Sequence, residues 1–365
     1  MISGIFIALM FVILVYSFEV FKKVRTTKII STFIGVLIFY GLLFNITDNS
    51  DWENYEVYFN GYNETTDFLF SYISDVFSNN GYDYIAVYKF HILIMGIGFI
   101  YFASRFSFSN VFAVISCYLL FQFVPLSNQI RYYVAFTFFL ISIYSLIVTK
   151  NKISFAIFAI LSVLSHSAIL LMYPFLYFYY KTSNEDFLGK LLLYSLLFSF
   201  LCVIIYRIGL LLFNQFTSYF ETEVLSSISG GVFNNLILVV WIFYIYVRNK
   251  VLVRSNQVEI VSDIKYQFLY RLSLYSIVFI PTSIIIQIIS HRYVAASVII
   301  WVTYIMYSFK YDITIKRRIL QLTIFLFLII GSFLYFYILP EFLLGTSNLE
   351  AVSDLFDSNT LLNFL

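Results

Sequence analysis

Arg131, His166, Arg271 and the run His291-Arg292-Tyr293 put charge-bearing side chains inside, or at the edges of, long apolar stretches. An arginine fork donates paired hydrogen bonds to phosphate or carboxylate and keeps its charge when desolvated, so these arginines suit an anion. An imidazole titrates near neutrality, although a lone histidine in an apolar segment is more often a hydrogen-bonded packing residue. His291, Arg292 and Tyr293 equally suit anchoring at a membrane boundary, because all three side chains can snorkel. Arg271 and Tyr275, four apart, share one helical face. The histidines at 91, 166 and 291 make no zinc spacing, and no glycine-rich phosphate loop is present. Asp48 and Asp51 have nothing nearby to complete a cation cage, and Cys117 and Cys202 both lie in apolar stretches. No metal and no cofactor is expected.

Such residues need helices to hold them. Of 365 residues, 61% are hydrophobic and 12% charged, with a mean hydropathy of +0.89; a soluble domain carries about 25% charged residues. The composition reads as an all-α polytopic integral membrane protein, one transmembrane domain over 1–365. Spans are expected near 2–21, 29–46, 84–104, 109–125, 129–148, 153–165, 168–180, 190–212, 232–248, 266–290, 293–309 and 319–339, about twelve in all. The first ends at "KKVR" without a cleavage pattern and reads as a retained helix. A hairpin broken near "SHS" at 165–167, instead of one long helix, keeps the later basic loops on the cytoplasmic side. The outer segments 47–83, 213–231 and 340–365 then carry 14 acidic residues and no Lys or Arg. Lys89, Arg131, Arg207, Arg271 and Arg292 are left over, and all but Arg271 fall toward outer span ends. A charge in a span usually faces a partner or a cavity.

The outer segment 47–83 has two halves. Trp52, Tyr55, Tyr58 and Tyr62 stand among Asp51, Glu53 and Glu56, as interfacial anchors or as a sugar-binding surface. Apolar residues at 68, 69, 72, 73, 76 and 77 then spell an amphipathic helix near 67–79, with Thr65 and Thr66 as caps and Asn80-Gly81 as the stop, expected to lie on the outer membrane surface or over a cavity mouth. Asp67, Ser71, Ser74, Asp75 and Ser78 are expected to face water. Together, outward-facing arginines, histidines and an acidic aromatic loop suggest one outward cavity for an anion and a polar substrate, a combination that a lipid-linked pyrophosphate meets.

"DWENY" at 51–55, "IRYYVAFTFFL" at 130–140, "LSHSAILLMYP" at 164–174, "YRLSLY" at 270–275 and "HRY" at 291–293 follow one another in an order that resembles the EpsG family of Wzy-type exopolysaccharide and capsule polymerases. "NETTDFLF" at 63–70 echoes a further family segment only loosely, so Glu64 and Asp67 carry over weakly. The family is similar to GT-C-type glycosyltransferases. The resemblance implies a GT-C-like or Wzy-like bundle, with the active site facing outward from a bacterial plasma membrane. The implied reaction is polymerisation of undecaprenyl-pyrophosphate-linked oligosaccharide repeat units. A hydroxyl of one unit attacks the anomeric carbon of the growing chain, and undecaprenyl pyrophosphate leaves. On this chemistry Arg131 and Arg292 bind the pyrophosphate, with help from Arg271 and His291. His166 or Asp51 serves as the general base, and Trp52, Tyr55, Tyr275 and Tyr293 position ligands. Membrane lipid, a chain-length regulator and a flippase of the same pathway are candidate partners, and nucleic acid is not. A flippase of lipid-linked sugars and a membrane O-acyltransferase acting on polysaccharide are the alternatives.

Overall fold

The computed structural model describes residues 26–61, 67–106, 111–183, 186–212, 228–286, 289–312, 314–340 and 348–362. The expected span at 2–21 and residues Tyr62 and Glu64 lie outside them. Six helical stretches among the described residues are long and apolar enough to cross a membrane: Tyr84–Ser104, Val111–Asn128, Ile130–Ile147, Ser229–Ser255, Arg292–Tyr311 and Ile315–Ile338. Among the described residues the secondary structure is helical, apart from one isolated antiparallel bridge between Ile46 and Asn359, and helices satisfy their own backbone groups in a membrane.

The fold divides into two compact units, Met1–Met172 with Asp312–Leu365, and Tyr173–Tyr311. In chain order the helices are α1 Thr26–Leu43, α2 Trp52–Phe59, α3 Phe68–Asn79, α4 Tyr84–Ser104, α5 Val111–Asn128, α6 Ile130–Ile147 and α7 Lys152–Ser165. There follow α8 Phe175–Lys181, α9 Phe187–Leu212, α10 Ile228–Ser262, α11 Ile264–Tyr275, α12 Ile280–Ile285, α13 Val298–Ser308, α14 Ile315–Phe333 and α15 Asn348–Asp357. The stretch expected as a span at 168–180 is a tight 3-10 turn, Ser167–Met172, followed by the short α8.

In the first unit, α1 and α4 run antiparallel: the Tyr88 hydroxyl donates to the Leu43 carbonyl (3.2 Å) and Tyr40 to Leu93 (2.9 Å). α6 runs alongside α4 in the same direction, with Phe99 against Phe136 and, further along, Phe106 against Tyr144. α7 returns beside α6. Ser145 and Ser154 meet at the turn, and Ser162 Oγ donates to the Ala135 carbonyl near the other end. Asn151 caps α7 by accepting from the Ser154 N–H. The start of α5 lies by Ser31, whose hydroxyl accepts from the Phe112 N–H, and its end lies by Asn49, which donates to the Ser127 carbonyl.

These directions separate charge. Arg105, Lys150 and Lys152 fall at the end where α4 and α6 finish and α7 begins. At the opposite end lie the loop 47–51, α2, α3 and the starts of α4 and α6, with Asp48, Asp51, Glu53, Glu56, Asp67, Asp75 and Asp83. α15 joins this end, where Thr47 Oγ1 donates to the Ser358 carbonyl and Ser358 Oγ to the Asp48 carbonyl. The buried Asn359 amide donates to the Gly41 and Leu42 carbonyls, which the end of α1 would otherwise leave without intrahelical donors.

In the second unit the stretch expected as one span at 266–290 is broken. α11 gives way to a 3-10 turn, Ser276–Phe279, and α12 ends at Ile285. Broken helices survive in apolar surroundings when neighbouring side chains satisfy the freed backbone. Here Ser195 Oγ donates to the Ile277 carbonyl (3.2 Å) and Asn235 Nδ2 to the Ser283 carbonyl (3.4 Å), while Asn235 Oδ1 accepts from the Ser283 and Ser290 hydroxyls (2.9 and 2.8 Å). Gly231 lets α10 approach this break: a Cβ there would stand 1.8 Å from the Ile284 carbonyl oxygen. At the cap of α11, Asp263 accepts from the Lys265 and Tyr266 N–H groups, from the Tyr307 and Tyr311 hydroxyls and from Lys310. Burial pushes its carboxyl up, but the hydrogen bonds from Lys310, Tyr311, Tyr266 and Tyr307 outweigh burial and hold it below the usual carboxylate range.

Candidate functional site

α6 opens with Ile130, fully buried, and the next residue, Arg131, turns toward the segment before α3. Its Nη1 lies 2.9 Å from Asp67 Oδ2, with the arginine side chain 19% exposed and the aspartate 3%. Three rings surround the guanidinium, with centroids at 5.0 Å for Tyr55, 5.1 Å for Tyr58 and 5.5 Å for Phe70. Aromatic faces attract the cation, and their bulk keeps water from screening the ion pair.

His166 approaches the same carboxylate from α7. Ser165 ends that helix, and His166 takes an extended backbone (φ −164°, ψ 114°) before the 3-10 turn. This break frees the imidazole to point across to Asp67. Nδ1 lies 3.0 Å from Oδ1 and 3.1 Å from Oδ2, and the ring packs edge-on against Tyr132. An ionised carboxylate only accepts, so Nδ1 carries the proton and the lone pair of the neutral ring sits on Nε2. Nε2 is buried and has no hydrogen-bond partner among the described residues. The arrangement is a carboxylate-oriented imidazole with its basic nitrogen uncommitted, beside an arginine sharing the same carboxylate. Such a group can take a proton from a hydroxyl while the arginine meets negative charge.

Asp67 corrects the sequence reading. Its polar character placed it on the water face of α3 with Ser74, yet both are buried, while Phe68 and Tyr72 are exposed. The apolar positions of α3 form two faces: Phe70 and Ile73 pack inward, and Phe68, Tyr72 and Val76 do not. Asp67 occupies the cap position of α3 but makes no capping hydrogen bond there; its carboxylate is turned to Arg131 and His166. Among the sequence signals only the loose family echo touched this residue.

The remaining candidates take varied places. Asp51 is the cap residue of α2, half-buried, and its N–H donates to Asn49 Oδ1. Trp52 packs on Tyr84 (4.8 Å) and Tyr88 (5.2 Å), and Tyr55 stacks parallel to Tyr84 besides covering Arg131. Both rings make protein contacts, with Tyr55 buried and Trp52 half-buried. His91 is buried against Phe70 and bonds the Val87 carbonyl within its own helix.

In the second unit, Arg271 donates to the Tyr179 carbonyl (2.6 Å) between the rings of Tyr179 and Phe187. Tyr275 is buried among Phe175, Phe178 and Phe279, and Tyr293 stacks on Phe279 at 4.6 Å. Arg292 and His291 lie on a single wide turn, Ser290–Val294, with the arginine half-buried; the side chains of His291 and Arg207 lie outside the described set. Among the described residues no group of three or more His, Cys, Asp or Glu side chains could hold a metal ion.

Residues 26–344 match the model of the EpsG family. The chain belongs to the EpsG family. Its match runs through the whole Asp67–Arg131–His166 cluster and through the broken helix of the second unit. EpsG-family membership suggests a role like that of a polysaccharide polymerase, a membrane enzyme of glycosyltransferase character. No curated protein and no solved structure matches this EpsG-family chain.

Proposed function

We propose that this EpsG-family protein polymerises lipid-pyrophosphate-linked oligosaccharide repeat units at the outer face of the plasma membrane, the lipid being undecaprenol by the family resemblance. The observation that carries the reading is the Asp67–His166 contact with Arg131 on the same carboxylate. His166 Nε2 removes the proton from the acceptor hydroxyl as its oxygen bonds to the anomeric carbon. The bond from that carbon to the pyrophosphate oxygen breaks, and its electron pair leaves with the pyrophosphate. Arg131 stabilises the charge that develops there, the electrostatic contribution that usually dominates such steps. Asp67 holds the imidazole in the tautomer that leaves the lone pair on Nε2, the base.

The orientation is supported by the charge separation of the first unit. Lys and Arg accumulate on the cytoplasmic side of membrane proteins, and Arg105, Lys150 and Lys152 lie at the end opposite the cluster. The cluster then faces outward, where a lipid-linked glycan is extended. The test is purified full-length protein in detergent with a short-chain lipid-pyrophosphate repeat unit as substrate. A ladder of elongated products, absent with His166→Ala, is the expected result; unchanged substrate with the wild-type protein overturns the reading.

A further inference from the structure

The exposed face of α3 carries more than a water-facing helix needs. Phe68 and Tyr72 are 61% and 59% exposed, and their rings lie 6.3 Å apart and nearly parallel, at 11°. The pair sits one turn apart on the helix, with Asp75 and Asn79, also exposed, continuing the same face at i+3 and i+4 spacing. Phe68 follows Asp67 directly, so the row begins next to the carboxylate that holds His166 and Arg131. From Phe68 to Asn79 the helix rises about 16 Å, long enough for several sugar rings.

We infer that the Phe68–Tyr72 pair, with Asp75 beyond it, is a glycan-binding platform that seats the saccharide portion of the substrate leading into the Asp67–His166–Arg131 cluster. The inference rests on the polymerase reading and adds a binding surface to it. The electron-rich faces of the two rings attract the polarised C–H groups of a pyranose, and the Asp75 carboxylate accepts hydrogen bonds from hydroxyls. The rival occupant is the membrane surface. Helices that bind there set Lys and Arg against the lipid head groups, whereas residues 47–83 contain none and are acidic throughout. That charge suits a hydroxyl-rich ligand and repels an anionic lipid surface.

The test uses the full-length protein in nanodiscs and, as probe, fragments of a few repeat units cut from the polysaccharide of the cells that make this protein. Titration calorimetry is expected to show binding by the wild type. F68A/Y72A should weaken it about tenfold, the loss of two ring contacts, while F68Y/Y72F binds as the wild type does. Equal binding by F68A/Y72A, or no binding by the wild type, overturns the platform. So does stronger quenching of Y72W than of wild-type fluorescence by brominated lipid, which would put the face in the bilayer. Because binding is read without turnover, these outcomes stand apart from the product ladder: an active enzyme with unaltered glycan affinity in F68A/Y72A loses the platform and keeps the polymerase.

Discussion

His166 Nδ1 donates to both carboxylate oxygens of Asp67, at 3.0 and 3.1 Å, across 99 positions of sequence. This contact assigns the tautomer of the imidazole, and with it the nitrogen that can act as a base. His166→Ala is expected to lower polymer formation by about 10²- to 10⁴-fold, the usual worth of a general base. Asp67→Asn should fall in the same range, because the amide can donate to Nδ1 and turn the proton onto Nε2. Product ladders from purified variants measure both, and wild-type rates in Asp67→Asn would remove the carboxylate from the mechanism.

Arg131 and Asp67 form a largely buried ion pair, so losing one partner strands the other's charge. Arg131→Ala is expected to destabilise the first unit by up to about 3 kcal/mol. The double variant Arg131→Ala/Asp67→Ala should recover part of that loss although both variants are inactive. Thermal unfolding in detergent gives the comparison. A double variant less stable than Arg131→Ala would show that the Asp67–His166 contact outweighs the cost of leaving the carboxylate without its arginine.

Asp263 makes the second unit sensitive to acid. Its carboxyl lies below the usual carboxylate range when folded. The stabilisation is therefore complete above the unfolded value, about pH 4, and is lost as pH falls through the lower folded value. Wild type and Asp263→Asn should differ in melting temperature at pH 7 and converge toward pH 3. A constant difference down to pH 3 would contradict the assignment.

Gly231 tests the broken helix. Gly231→Ala places a methyl 1.8 Å from the Ile284 carbonyl oxygen, which belongs to the backbone and has little room to yield. A loss of about 1–3 kcal/mol or more is expected from such overpacking, read as a lower melting temperature and a lower yield of folded protein. Gly189→Ala, with nothing within 4 Å of the added carbon, is the matched control.

The sequence made the long helices legible because their evidence is local. Tyr84–Ser104 and Ile130–Ile147 are predominantly apolar stretches of membrane-crossing length, and the break at Ser165–Ser167 followed from the sign of the neighbouring loops. Arg131 and His166 stood out for the same reason, as polar groups in apolar runs. The interruption of 266–290 has a local trace in Pro281, which stands in the first turn of α12, but the support it receives from Ser195 and Asn235 on other helices is not local and could not be read. Asp67 was illegible in a similar way: a carboxylate at a helix start reads as solvated until Arg131 and His166 are brought to it. The two-faced burial of α3, and the exposed Phe68–Tyr72 pair, also required the packing of Phe70 and Ile73 to be known.

Asn359 closes the end of α1 from more than 300 residues away. During synthesis, then, the last carbonyls of α1 wait for these donors while all of Tyr173–Tyr311 is made. The first unit is begun early and completed late. Its final contacts form only after the inserted second unit has left the ribosome, so the order of assembly follows the closure of the C-terminal segment, and chains released before Asn359 keep an unfinished first unit.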